Sequence, residues 1–175
     1  TRAPTKKRSI SSTSASVRGV THTPNCGLSA PAAVTVLLGS RYAMLSYQWD
    51  HQDTVKRART LLEKYGVVCW MDIDQMKKDI YDSMAEGVQG AACIICFMSP
   101  AYQESANCKL ELKFAQQSGV PIVPVMMQAN WRASDWLGII TAGALWTPLY
   151  NDFETGIKGI ISQMEKSVAP APTNT

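Results

Sequence analysis

The chain holds only two histidines, His22 and His51, and it contains neither a G-x-G-x-x-G run nor a P-loop pattern. Those gaps remove most nucleophilic triads and the usual glycine-lined phosphate cradles. Long apolar runs are missing too: a stretch such as Ala91–Met98 is far too short to cross a bilayer, so no membrane span is expected. Acidic residues are absent from positions 1–40, which carry five basic ones (Arg2, Lys6, Lys7, Arg8, Arg18). The formal charge of +3 over 175 residues therefore sums a basic leader and a body of twelve basic and fourteen acidic residues. Such a body does not call for a nucleic-acid partner. With 46% apolar residues it can bury one core of ordinary size.

Five cysteines, without a secretory signal pattern, favour a reducing, cytoplasmic setting over a disulfide framework. Cys93 and Cys96 form a C-x-x-C inside AACIICF. That run reads as a buried strand, which sends the two thiols to opposite faces. With no second Cys/His pair to complete a ligand set, no metal site is expected.

Residues 1–40 read as a disordered Ser/Thr-rich leader, 41–166 as one domain and 167–175 as a Pro/Thr tail. The run 34–38 (VTVLL) reads equally as a strand or a short helix. Within the domain, β-rich runs at 42–47, 67–71, 91–98, 120–126 and 144–147 recur about once per strand–helix–strand unit. They are apolar on both faces, as strands of a parallel sheet covered on both sides must be. Between the first two, Val55, Ala58, Leu62 and Tyr65 share a helical face and Gly66 supplies the stop. Between the third and fourth, Ala101, Ser105, Cys108, Leu112 and Ala115 line another, and 152–164 reads as a closing helix. The expected fold is a flavodoxin-like α/β sandwich whose five-stranded parallel sheet has the order 2-1-3-4-5. Ligands bind such a sheet beyond its strand C-termini, where the order reverses beside strand one.

The loop after strand one, Gln48-Trp49-Asp50-His51-Gln52-Asp53, has no glycine, so a flavodoxin phosphate site is excluded. Strand three ends Phe97-Met98-Ser99 without the carboxylate that a phospho-receiver needs. What remains is the segment 105–115, SANCKLELKFA. On a helical wheel Glu111 falls about 80° from the centre of the apolar stripe, a flank position that leaves it half-buried at the rim of the sheet. For an arbitrary glutamate, pairing with Lys109 or Lys113 on a solvated face is the ordinary role.

The runs YAMLSYQW, WMDIDQM, CIICFMSPAY, CKLELKFA and GVPIVPVM, in that order over residues 41–165, resemble a Toll/interleukin-1-receptor (TIR) domain. The C-x-x-E-L of Cys108, Glu111 and Leu112 is similar to the motif of plant immune-receptor and axon-degeneration TIR domains that cleave NAD⁺. The resemblance implies an NAD⁺ glycohydrolase, activated by self-association with other TIR domains, in immune or cell-death signalling. Receptor and adaptor TIR domains of vertebrate innate immunity generally lack the activity, so a non-catalytic adaptor, or a nucleotide sensor without turnover, stays open.

Chemistry makes Glu111 a sensible carry-over. NAD⁺ already bears a cationic nicotinamide leaving group, so no general acid or cofactor is needed. One carboxylate suffices to stabilise the oxocarbenium-like ribose. The resemblance further implies that Tyr47 walls the nicotinamide-ribose pocket and that Asp72 is the acid ending strand two. Cys108 belongs to the catalytic helix motif. Trp49 either stacks on a ligand ring or packs against the domain, standing with Gln48 where the axon enzyme has two arginines. Trp131, with Trp136 as substitute, is matched to an adenine-stacking tryptophan across an assembly contact. The loop 73–79, the family's BB loop, is short here and lacks the common glycine or proline; Met76 within it and Tyr81 after it read either as apolar contacts of the site or as core or rim packing.

Overall fold

Strands with apolar residues on both sides need cover on both faces, and the chain supplies it with helices on each. The computed structural model describes residues 38–72 and 80–168. Strand β1 (Tyr42–Ser46) is followed by a single 3₁₀ turn (Trp49–His51), helix α1 (Gln52–Lys64), β2 (Cys69–Trp70) and α2 (Ile80–Gly90). Then come β3 (Ala91–Met98), α3 (Pro100–Glu104), α4 (Ala106–Gln117), β4 (Ile122–Met126), α5 (Asp135–Ile140), β5 (Thr147–Pro148) and α6 (Phe153–Val168). The five strands form one sheet in the order β2-β1-β3-β4-β5, and every pair is parallel.

The central strand β3 is buried along all eight residues. Its pleat sends Cys93, Ile95 and Phe97 into the core with Val55, Leu62, Ile157 and Ile160 of α1 and α6. It sends Ile94, Cys96 and Met98 into a second core with Val88 of α2, Tyr102 of α3, Leu112 of α4 and Leu137 of α5. The two thiols of the C-x-x-C thus face opposite ways, as the strand reading requires. Each large apolar side chain so buried contributes roughly 1.5–3 kcal/mol.

Helix α1 presents the expected face: Val55, Ala58 and Leu62 are fully buried and Tyr65 packs partly against the same core. Gly66 stops it at φ +82°, a conformation that costs glycine nothing and other residues about a kcal/mol or more. Of the run 34–38 only Leu38 is described, and it is buried in the α1/α6 core. The leader before it, the loop 73–79 with Met76, and the tail from 169 lie outside the described residues.

Three expectations are corrected. The fifth strand is Thr147–Pro148, not 144–147; Leu145 and Trp146 stand 77% and 42% exposed, outside the sheet. The second strand is cut to Cys69–Trp70, since only two residues find register against Ala43 and Met44 of β1. The single helix expected over 101–115 is two. Ser105 is extended (φ −76°, ψ 119°), ends α3 and caps α4 by accepting the Cys108 N–H at 3.3 Å. That break turns Tyr102, rather than Ala101, into the sheet. Among the described residues, no helix is long and apolar enough to cross a membrane.

Candidate active site at the sheet edge

Parallel strands end together, so side chains at the C-termini of β1, β2 and β3 meet the start of the next helices. At the end of β1, Ser46 is 1% exposed and points to the α4 side of the sheet, the face that Met44 also takes. Its hydroxyl donates to Oε2 of Glu111 and sits 2.6 Å from the Tyr102 hydroxyl. Glu111 lies one helical turn after Cys108 on α4. Cys108, 6% exposed, donates its thiol hydrogen to the Tyr47 carbonyl at 3.6 Å, which pins the start of α4 to the end of β1.

Tyr47 faces the other core. Its hydroxyl donates to Asp72 Oδ1 at 3.1 Å and accepts from Gln52 Nε2 at 3.4 Å. Burial, above all, raises the Tyr47 hydroxyl well beyond its ordinary range, with the nearby Asp72 and Glu111 carboxylates adding to the effect. It is a fixed neutral donor.

Glu111 is half-buried, and desolvation pushes its carboxyl up to about 7; the Ser46 hydrogen bond opposes that rise, while the Asp72 charge adds to it. Burial likewise holds the Cys108 thiol protonated, up to about 12, and keeps Cys96 and Tyr102 neutral. The raised carboxyl makes Glu111 the candidate reactive member of the cluster.

Glu111 also lines a surface groove of about 400 Å³ between α2 and α4, walled by Tyr81, Met84, Ala85, Leu110 and Phe114. Tyr81 is 63% exposed there. Of the residues singled out in the sequence, Glu111, Tyr47, Asp72 and Cys108 form one cluster, and Tyr81 joins it through the groove. Trp49 stands 55% exposed on the 3₁₀ turn. Trp131 is half-buried against the α4 side of the sheet and outside that groove. Trp136 is occupied in the fold: its indole N–H donates to the Gln103 carbonyl at 2.9 Å, and its ring stacks on Tyr102 at 6.4 Å between centroids. Lys109 lies 5.7 Å over that ring and not against Glu111. The sequence reading missed Ser46, Tyr102 and Gln52. The available signal was Ser46 itself, a lone hydroxyl on the inward face of an apolar strand.

The same architecture recurs among solved structures. The TIR domain of the Toll-related receptor TRR-2 from Hydra magnipapillata superposes with a TM-score of 0.58 at 12% identity, covering 71% of this chain and 97% of that one. The TIR domains of the activated Roq1 resistosome that recognises the effector XopQ give 0.53 at 19% identity, covering 74% and 100%. A 2-desoxiribosyltransferase from Leishmania mexicana gives 0.51 at 13% identity, covering 70% and 97%. These likenesses speak to the fold. A search of curated protein sequences finds no match. The TIR domain family profile matches residues 44–161, from within β1 to within α6, and so spans the whole sheet together with the Glu111 cluster. The chain belongs to the TIR domain family.

Proposed function

We propose that this TIR domain is an NAD⁺ glycohydrolase with Glu111 as its catalytic carboxylate. The observation that carries the reading is that Glu111 is half-buried at the C-terminal edge of the sheet, titrates near 7 and borders an open groove. The C–N bond between ribose and nicotinamide breaks with its electron pair going to the pyridinium nitrogen, which neutralises the leaving group. The Glu111 carboxylate stabilises the oxocarbenium-like ribose left behind. Water adds to the anomeric carbon and loses a proton, giving ADP-ribose; capture by the adenine of the same nucleotide gives a cyclic isomer instead. No resident cofactor enters these steps. The groove has the volume of a small ligand site and apolar walls suited to a flat ring. The name of the Leishmania relative describes transfer of a deoxyribosyl group, which is of a piece with sugar chemistry on this fold.

Activity is coupled to association with further TIR domains; the Roq1 resistosome is named as such an assembly. The free, buried cysteines Cys69, Cys93, Cys96 and Cys108 are in keeping with a reducing cytoplasm, where the activity would serve immune or cell-death signalling. A second reading, the non-catalytic adaptor, draws on the apolar surface exposed at Ile139, Leu145 and Trp146, which an association surface uses and a pocket does not. Incubating concentrated or artificially clustered protein with NAD⁺ and separating the products distinguishes the two. Nicotinamide release that is lost in Glu111→Gln supports the enzyme. Full release by a folded Glu111→Gln protein excludes the assigned role, and silence of every assembly leaves the adaptor.

A further inference from the structure

We propose that Ser46 and Tyr102 are positioning residues for Glu111, linked in a one-way chain of hydrogen bonds that fixes the carboxylate's orientation and favours its ionised form. This rests on the reading of Glu111 as the catalytic carboxylate. The direction follows from counting hydrogens. An ionised carboxylate only accepts, so the single Ser46 hydroxyl hydrogen goes to Glu111. The Ser46 oxygen then has only lone pairs for Tyr102, whose hydroxyl must donate across their 2.6 Å contact. The sequence Tyr102, Ser46, Glu111 therefore aligns two O–H dipoles on one carboxylate oxygen, each bond polarising the next.

The chain is built, not incidental. Tyr102 and Ser46 are each at most 1% exposed, so no water competes for the hydrogens. Tyr102 reaches the chain because Ser99 accepts its backbone N–H at 3.1 Å and starts α3 there, while the Ser105 break keeps α3 short. With Oε2 held inward, the remaining oxygen is left to the groove that Glu111 borders. The other titratable groups around Glu111 do not supply this support. Asp72 beyond β2 opposes ionisation. Tyr47 and Cys108 spend their hydrogens on Asp72 and a carbonyl, and Tyr81 and Lys113 line the groove.

The test follows the side-chain carboxyl ¹³C resonance of Glu111, assigned by its loss in Glu111→Gln, as pH is varied. The expected titration midpoint rises by about one unit in Ser46→Ala and by a smaller step in Tyr102→Phe, which keeps the ring and removes only the hydroxyl. Ser46→Thr, which restores a hydroxyl, moves the midpoint back. Nicotinamide release by Ser46→Ala then falls about fivefold at pH 7 and recovers near wild type at pH 9. A midpoint unmoved in both hydroxyl-deletion variants overturns the chain, and so does an activity loss equal at every pH. If the parent protein releases no nicotinamide, the glycohydrolase reading fails while the carboxyl titration still decides the chain.

Discussion

Tyr47 and Asp72 are joined by a 3.1 Å hydrogen bond from the phenol to Oδ1, and that bond ties the end of β1 to the end of β2 beside the site. The carboxylate so held adds its charge to the field at Glu111 and raises it. Asp72→Asn keeps an oxygen for Tyr47 to donate to and removes only the charge. The variant is expected to stay folded, while the acid limb of nicotinamide release moves to lower pH by a few tenths of a unit to about one unit. The pH profile of kcat/KM checks this; an unmoved limb separates Asp72 from the site.

On the proposed mechanism Glu111 acts as a carboxylate, and burial pushes its carboxyl up to about 7, so the activity of the clustered protein is expected to rise with pH through that region and level off above about 8. A Glu of ordinary pKa places the limb two units or more lower. Initial rates from pH 5 to 9 tell the two apart, with protein integrity checked at each pH.

The same elevation costs stability. Between about 4.5, where the unfolded chain loses this proton, and about 7, where the folded one does, the unfolded state holds fewer protons, so stability falls as pH rises through that window. Above it the penalty is constant. Glu111→Gln, which still accepts from Ser46, is therefore expected to unfold at higher denaturant than the parent at pH 8, by on the order of 2 kcal/mol, and equally at pH 4. Equal stabilities at pH 8 would mean that the carboxylate is freely solvated.

A contact far from the site tests the packing of the last strand. A Cβ on Gly156 of α6 meets Leu149 Cδ1 at 2.8 Å, the Pro148 carbonyl oxygen at 3.0 Å and Leu149 Cα at 3.3 Å. Two of those atoms are backbone and cannot rotate away. Alanine is the better helix former by about 1 kcal/mol, but overpacking costs about 1–3 kcal/mol. Gly156→Ala is expected to lower Tm by roughly 3–6 °C with nicotinamide release intact below the transition. A raised Tm means that β5 yields at no cost.

The parts of the fold that depend on patterning are legible in the residues alone. Double-sided apolar runs such as the eight-residue Ala91–Met98, evenly spaced along the chain, read as central parallel strands, and the spacing of Val55, Ala58 and Leu62 reads as one buried helix face. The flank position of Glu111 followed from helix geometry in the same way. Short edge strands escaped it: Thr147–Pro148 is a strand because Val125 and Met126 of β4 lie opposite, and no local propensity announces that. The break at Ser105 escaped it too, because a serine with helical neighbours on both sides also fits a continuous helix. Above all, Ser46 and Glu111 are 65 positions apart and Ser46 and Tyr102 are 56 apart. Which hydroxyl meets which carboxylate depends on the register of β1 against β3 and on the turn of α3, long-range packing that only the tertiary structure decides.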